Sequence, residues 1–176
     1  VLCAKSHLKI KKNFNNVLTI IIPRHIDRAA KIDTELSNLH LKVAFYSNLD
    51  QLDESTDILI IDSYGESLKF YNISKYVFLG KSLSKTLIMN SGQNPIEPAR
   101  LGCKIFHGPN IQNFKEVYKL LNSLDITETI KNKSQLIKKI NINLKKPFRK
   151  NINKKKLETI GKKILDKTFL EISKFL

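Results

Sequence analysis

The chain has 176 residues with 41% hydrophobic content, enough for one globular domain with a packed core and an extension, and no apolar run nears the roughly 18 residues that span a membrane. Two cysteines and four scattered histidines form neither a disulfide framework nor a metal-ligand spacing, which favours a reducing compartment and no bound metal. The net charge of +15 is uneven, because residues 131–176 hold 15 Lys and Arg against 3 Asp and Glu.

The first part of the chain alternates between helical and apolar segments. A helix is predicted at "AKSHLKIKKNF", and a strand in "NVLTIIIPRH" that Pro23 ends, since proline lacks the N–H that a strand ladder uses. "DRAAKIDTELSNL" is predicted to be helical and "KVAFYS" to be a second strand. The third strand, "TDILIIDSYG", is continuously apolar, which predicts burial on both faces. A short helix follows at "ESLKFYNIS".

The alternation continues with a fourth strand, "YVFLGKS", and a helix opened by "NPIEPARLG", where proline is tolerated in the first turn. After a fifth strand, "CKIFHG", the segment "NFKEVYKLLNSL" has the spacing of an amphipathic helix that buries Phe114, Val117, Leu120, Leu121 and Leu124. "DITETI" is predicted to be one more strand and "SQLIKKI" a helix. Strands that alternate with helices predict an α/β fold with a Rossmann-like parallel sheet and helices on both faces.

The tail differs in composition. Past Ile142 the segment "NLKKPFRKNINKKK" lacks periodicity and is predicted to be a basic linker. A final helix is predicted from about Lys155 to Phe175, with an apolar stripe that begins at Leu157. We therefore divide the chain into a domain at residues 1–142 and an extension at residues 143–176.

Four segments next to the predicted strands are candidates for ligand binding. In parallel α/β sheets ligands bind outside the carboxyl ends of the strands, where "PRH", "DSYGE", "GKS" and "SGQNPIEPA" are expected to lie. The planar fork of Arg24 suits a phosphate or a carboxylate, although a surface ion pair with Asp27 or Glu35 is the alternative. Gly65 permits close backbone approach and Glu66 begins a helix, although a plain strand-to-helix turn explains both. "GKS" lacks the spaced glycines of a Walker loop.

Glu97 is the most distinctive candidate, because Pro95 and Pro98 fix the backbone on either side of it. This rigidity lowers the entropy lost in holding the carboxylate in place, and Gly92 lets the preceding loop pass close to a ligand. A carboxylate at a helix start can accept hydrogen bonds from vicinal hydroxyls, as on a ribose. The alternative is a proline-capped helix in which Glu97 only complements the helix dipole.

The segments "IIIPRH…R", "LIIDSYGE…FY", "VFLGKS", "NPIEPARLG" and "HGPNIQNFKEVYKLL" occur in the order found in one enzyme family. Together they closely resemble the nucleotide-binding half of the Kdo transferases, which add 3-deoxy-D-manno-octulosonic acid (Kdo) to lipid A precursors. The resemblance covers about residues 1–124. It implies a GT-B fold, in which two Rossmann-like domains face a cleft and the C-terminal one binds the CMP part of CMP-Kdo. It also implies an inverting transfer, in which a lipid A hydroxyl attacks the anomeric carbon of Kdo and CMP leaves.

The resemblance also implies which residues contact the donor. They match three family segments, and Glu97 takes the role of ribose-hydroxyl ligand. The residues are Pro23, Arg24, Tyr64, Gly65, Glu66, Asn94, Pro95, Ile96 and Glu97. No catalytic residue, metal or cofactor other than the donor substrate CMP-Kdo is expected in this chain.

Three departures from the family pattern shape further expectations. The family's N-terminal domain, which holds the acceptor site and the catalytic base, has no counterpart in these residues, so the chain is expected to be inactive alone. The first strand of the C-terminal domain also has no match, which suggests an N-terminally truncated domain. The segment from Lys81 to Asn90 contains lysine and serine where the family is rich in glycine, and only Gly92 is kept before Asn94.

The partners expected from the resemblance are a CMP-sugar donor, a lipid A precursor bound through the missing domain, and the anionic cytoplasmic face of the inner membrane. The basic tail suits anionic lipid, and its apolar stripe suits an interdomain face. Nucleic acid is disfavoured, because the tail has few aromatics and the chain has 27 Lys against 4 Arg. Another GT-B nucleotide-sugar transferase, or a basic module binding nucleic acid or anionic lipid, remains the alternative.

Overall fold

Six strands and seven α-helices occur in the part of the chain that the computed structural model describes, residues 1–83 and 92–175. The helices are α1 (Leu2–Lys11), α2 (Ala29–Leu36), α3 (Ser67–Ile73), α4 (Ile96–Arg100), α5 (Lys115–Ser123), α6 (Lys133–Leu144) and α7 (Lys150–Ile172). The strands are β1 (Thr19–Ile21), β2 (Val43–Phe45), β3 (Ile58–Ile60), β4 (Tyr76–Leu79), β5 (Lys104–His107) and β6 (Thr127–Thr129). The predicted alternation of strands and helices is confirmed.

The chain divides into two compact units, Val1–Phe70 with Lys133–Lys146, and Tyr71–Asn132 with Pro147–Leu176. In the described residues each unit holds one three-stranded sheet, ordered β1-β3-β2 in the first and β4-β5-β6 in the second. Every strand pair is parallel. The α/β class and the parallel arrangement are confirmed, with the strands shared between two sheets.

The central strand of the first sheet, β3, is buried on both faces, as its continuous apolar sequence predicts. Ile58 and Ile60 pack in a cluster with residues of α1 and α2, whereas Leu59 and Ile61 pack in a second cluster with Phe70 of α3. Successive side chains of a strand point to opposite faces, so a strand covered twice needs apolar residues at every position.

A polar network that the sequence did not reveal lies at the amino edge of the first sheet. Asp57, just before β3, accepts hydrogen bonds from the Lys11 ammonium and from the Lys42 amide at 3.0 Å. His7 of α1 is buried and contacts Asp57 Oδ1 at 3.2 Å and the Thr19 hydroxyl at 3.0 Å. Burial lowers the pKa of His7 below its ordinary value of 6.5. Burial acts to raise the pKa of Asp57, but its hydrogen bonds lower that pKa overall.

The second unit is built around β5, whose four residues are all buried. Its core also contains the buried Cys103. One prediction about α5 is wrong: Leu120 is 37% exposed, and Tyr118 is 1% exposed in its place. Tyr118 follows Phe114 by one helical turn, so it lies on the same face, whereas Leu120 is rotated away from Leu121.

Helix α7 begins at Lys150, earlier than the predicted start near Lys155. Contacts within the second unit explain the difference, because the Lys150 ammonium donates to the carbonyls of Tyr71 and Asn72 at 2.6 and 2.7 Å. Leu157 packs against the core of this unit, but further along the helix the apolar side chains are exposed, with Phe169 at 63%. No helix in the described ranges is long and apolar enough to cross a bilayer.

Candidate functional site

Two of the predicted segments lie at one edge of the first sheet. Pro23 and Arg24 follow β1, and residues 64–66 follow β3. These strands pair in parallel, and the Ile61 amide donates to the Ile21 carbonyl at 2.9 Å, so both segments leave the sheet at its carboxyl edge. This is the edge at which open α/β sheets bind ligands. The third segment, residues 94–97, lies at the start of α4 in the second unit.

The side chain of Arg24 is exposed and unpaired. Within residues 1–83 and 92–175 its guanidinium forms no ion pair or hydrogen bond, so the alternative pairing with Asp27 or Glu35 does not occur there. An unpaired guanidinium at a ligand-binding edge keeps all of its donors available for a phosphate or a carboxylate.

The segment after β3 combines an exposed tyrosine, a left-handed glycine and a partnered acid. Tyr64 is 68% exposed, and Gly65 has a φ of 81° with no atom within 4 Å of a Cβ placed there. The Glu66 carboxylate pairs with the Lys69 ammonium at 2.7 Å and accepts a hydrogen bond from the Tyr46 hydroxyl at 3.5 Å. The hydrogen bond and charge of Glu66 raise the pKa of Lys69. A ligand would therefore meet Tyr64 and the Gly65 backbone more readily than the Glu66 side chain.

Two further polar groups at this edge were not singled out from the sequence. Asp62 accepts hydrogen bonds from the amide of Ser47, at 2.9 Å, and from its hydroxyl, which ties the loop after β2 to the loop after β3. Burial acts to raise the pKa of Asp62, but these hydrogen bonds lower it overall. The Ser63 hydroxyl is buried without a partner among the described residues. Their place in "DSYG" after a buried strand was the signal available in the sequence.

Helix α4 and the proline before it have a buried side and an exposed side. Pro95 and Pro98 are buried and Ala99 lies in the core of the second unit, whereas Ile96 and Glu97 are exposed. The Asn94 side-chain oxygen accepts a hydrogen bond from the Ile96 amide at 2.9 Å, which fixes the turn that enters the helix. The two buried prolines therefore flank the exposed Glu97 in the structure.

The Glu97 carboxylate has no ion-pair or hydrogen-bond partner in the described parts of the chain, so its oxygens are free to accept from a ligand. Its charge acts on Tyr71 of the same unit: burial raises the pKa of this tyrosine, and the negative charge of Glu97 raises it further. Glu171 of α7, by contrast, pairs with the Lys174 ammonium at 2.8 Å.

The loops around α4 are held by contacts within the second unit. Gly92 has a φ of 98°, and a Cβ there would lie 3.1 Å from the Ile111 Cα. Ser82, from the predicted "GKS" segment, is buried; its hydroxyl donates to the Leu79 carbonyl and accepts from the Gly108 amide, each at 2.7 Å. This hydroxyl therefore joins the ends of β4 and β5. Residues 84–91, which include most of the glycine-poor segment noted above, lie outside the described residues.

Comparison with known proteins gives one consistent result, although no protein-family model matches the chain. The chain is 30% identical over 117 residues to a 3-deoxy-D-manno-octulosonic acid transferase of Haemophilus influenzae, a match that covers 66% of this chain and 26% of the relative. It is 28% identical over 174 residues to the transferase of the same name from Rickettsia felis, covering 95% of this chain and 36% of that protein. The chain thus spans only about a quarter to a third of the length of these relatives.

A solved structure is similar as well. It is the C-terminal CMP-Kdo binding domain of WaaA from Acinetobacter baumannii, which matches with a TM-score of 0.70 and 23% sequence identity. The match covers 77% of this chain and 69% of that domain. This similarity shows that the chain shares the α/β fold of that C-terminal domain, in agreement with the fold class expected from the sequence motifs.

Proposed function

Because the chain is related to the carboxyl-terminal, nucleotide-binding part of the Kdo transferases, we propose that it is the donor-binding half of a glycosyltransferase that moves Kdo from CMP-Kdo to a lipid A precursor. In this proposal CMP-Kdo is the donor substrate and no further cofactor takes part. In this proposal the acceptor site and the catalytic base belong to a part of the enzyme outside these residues. Transfer by this chain alone is therefore not expected.

One observation carries the proposal beyond sequence similarity: the Glu97 carboxylate, which has no partner among the described residues, lies on a helix with two buried prolines. A ribose presents two adjacent hydroxyl donors, and a carboxylate has the paired acceptor oxygens to receive both. Because Pro95 and Pro98 already restrict the backbone, little conformational entropy is lost when the ligand binds. We propose that Glu97 binds the ribose of CMP, with Asn94, Pro95 and Ile96 forming the rest of that contact.

The proposed donor contacts also include exposed residues of the first unit. We propose that Arg24, next to Pro23, binds the phosphate of CMP, and that Tyr64, Gly65 and Glu66 form a second contact segment. During transfer the phosphate becomes a leaving group and its negative charge increases. The Arg24 guanidinium would stabilise that charge more strongly in the transition state than in the bound donor, which is how it would accelerate the reaction.

The experiment that tests this proposal compares CMP affinity in matched variants by calorimetry. Glu97→Gln removes the charge but keeps the side-chain shape, so the affinity should fall on the order of tenfold, since a charged hydrogen bond is worth about 1.5–3 kcal/mol. The control is Glu116→Gln, which changes an exposed acid in the first turn of α5 and should leave the affinity unchanged. Equal affinities for all three proteins would overturn the role of Glu97.

Measuring the affinity for UMP in the same way distinguishes Kdo transfer from the alternative function, that of another GT-B nucleotide-sugar transferase. A donor site for CMP-Kdo should prefer the cytosine nucleotide. Tighter binding of UMP than of CMP would favour a uridine-nucleotide donor on the same fold.

We propose further that residues 131–176, with a net charge of +12, attract the molecule to the anionic cytoplasmic face of the inner membrane. Each basic residue near such a surface contributes on the order of 1 kcal/mol, and salt screens the attraction. The chain should sediment with phosphatidylglycerol-containing vesicles at low salt and not with phosphatidylcholine vesicles. Binding to mixed-sequence DNA, with vesicles ignored, would favour the nucleic-acid alternative instead.

A further inference from the structure

Tyr118 of α5 reaches the segment that precedes α4. Its side chain is buried, and its hydroxyl donates a hydrogen bond to the Gln93 carbonyl at 3.0 Å. Gln93 is the residue directly before Asn94, so this hydrogen bond holds the backbone at the entry to the segment that carries Glu97. The contact lies entirely within the second unit.

The ring that carries this hydroxyl is itself fixed. It packs against the His107 ring with centroids 4.3 Å apart, and His107 Nδ1 contacts the Gly108 carbonyl at 2.7 Å. Burial raises the pKa of Tyr118 well above its ordinary value of 10.0, so its hydroxyl remains protonated and remains a donor. The donor thus stands on a rigid support from β5 and α5, two elements that do not belong to the α4 segment.

The segment on the other side of this hydrogen bond is short. Helix α4 has only five residues, and its entry turn is held by the Asn94 side chain and by the close approach of Gly92 to Ile111. A helix of this length has few internal hydrogen bonds to resist displacement. The position of the Glu97 carboxylate therefore depends on where the preceding residues are held, as well as on the burial of Pro95 and Pro98.

We infer that Tyr118 is a positioning residue for Glu97: its hydroxyl sets the position of the Gln93 carbonyl and thereby the placement of the carboxylate toward the ribose hydroxyls. This inference rests on the proposed function, since it assigns the ribose of a nucleotide as the group that Glu97 meets. Tyr118 itself touches no ligand in this arrangement. Its effect should appear in the recognition of ribose hydroxyls and not equally in all nucleotide binding.

The test uses Tyr118→Phe, which removes the hydroxyl and keeps the buried ring. The affinities of CMP and of 2′,3′-dideoxycytidine monophosphate are measured, and their ratio reports the contribution of the ribose hydroxyls. Loss of a hydrogen bond worth about 1 kcal/mol should reduce this ratio on the order of fivefold. The control is Tyr76→Phe, which alters a tyrosine of the same unit that packs against Phe106 and Phe148, and which should leave the ratio unchanged.

A second measurement needs no nucleotide. In Tyr118→Phe the amides of Ile96 and Ala99, which donate to Asn94 and Pro95, should exchange with solvent faster, while the Ile105 amide of β5 should not change. Unchanged exchange at Ile96 and Ala99 would overturn the positioning role, whether or not CMP binds. Equal weakening of both nucleotides with faster exchange throughout the unit would also overturn it, because it would show a merely structural role. Absence of CMP binding in the unaltered protein would overturn the proposed function, while the exchange result still decides the role of Tyr118.

Discussion

Gly102 and Gly161 illustrate how the surroundings of one residue type decide its role. Gly102 follows α4 with a φ of 79°, and a Cβ there would lie 2.5 Å from the Lys150 carbonyl oxygen. Gly161 lies inside α7, where a Cβ would meet nothing within 4 Å. The first glycine permits both the left-handed helix end and the close approach of α7, whereas the second only weakens a helix.

We predict opposite effects for alanine at these two sites. Gly102→Ala should lower the free energy of unfolding by about 1–3 kcal/mol, through backbone strain and the clash with Lys150. Gly161→Ala should raise it by roughly 0.5–1 kcal/mol, because alanine is the better helix former. Urea denaturation of both variants measures these changes. A neutral Gly102→Ala would show that the start of α7 does not pack as described.

The buried His7 predicts a pH dependence with a definite sign. Its folded-state pKa is lowered from 6.5, so below pH 6.5 the unfolded state binds more protons and the free energy of unfolding falls as the pH drops. His107 of the second unit, whose pKa burial also lowers, adds to the same loss. Asp57, with a pKa lowered from 3.8, contributes a further loss only below that pH.

Denaturation between pH 7 and pH 5 checks this prediction. As the pH falls from 7 to 5, the free energy of unfolding should fall less steeply in His7→Gln, and less steeply still when His107→Gln is added. An unchanged slope in the double variant would contradict the role of the buried imidazoles.

The sequence predicted the exposed candidates better than the buried polar ones. Proline spacing pointed to Glu97, which is exposed between the buried Pro95 and Pro98. Nothing local marked His7 and Asp57, because their contact joins residues 50 positions apart. Only the tertiary fold brings such pairs together.

At the scale of elements, helix α7 has two different halves. Near its start, the Lys150 ammonium and the Asn153 amide group donate to backbone carbonyls of the second unit, and Leu157 packs on its core. Towards its end, Leu165 and Phe169 are 55% and 63% exposed. The first half belongs to the packed unit, and the second half presents the apolar stripe that the sequence predicts.

A matched pair of leucines tests this division. Leu157→Ala should lower the free energy of unfolding by roughly 2 kcal/mol, because it removes a side chain packed on the core. Leu165→Ala should change it by less than about 0.5 kcal/mol, as is usual at an exposed site. Thermal or urea denaturation measures both. Equal losses would contradict the division, since they would place Leu165 in a packed environment.

Elements were predicted well where periodicity was strong and poorly at their ends. The strand at Ile58–Ile60 and the helix at Lys115–Ser123 were clear from their patterns. The start of α7 was missed because residues 151–156 are asparagine- and lysine-rich, without apolar spacing. Hydrogen bonds to another part of the unit fix that start, and local sequence does not contain them.

At the scale of the whole molecule, the sequence predicted six strands in a parallel α/β fold but not how they group into sheets. The continuous apolar content of β3 shows that this strand is covered on both faces. It does not show which strand lies beside it, because parallel neighbours are joined by crossovers and not by local turns. The order β1-β3-β2 therefore became known only from the structure.

The positive charge of the basic tail is divided between contacts within the fold and exposed lysines. Most of the net charge of +15 lies in residues 131–176. The side chains of Lys150 and Lys156 donate to backbone carbonyls, so part of this charge also stabilises the fold. The remaining exposed lysines are the ones that the proposed attraction to anionic lipid would use.

The measurement that tests donor binding most directly is a CMP titration of the isotope-labelled chain, followed through its amide signals. We predict saturable shifts at Glu97 and its neighbours in α4, with the signals of Arg24 and Gly65 in the same spectra reporting on the first sheet. Glu97→Gln should weaken this response, and Glu116→Gln should not. No shift at Glu97 with millimolar CMP, or shifts confined to residues 131–176, would contradict the assignment of a CMP-Kdo donor site.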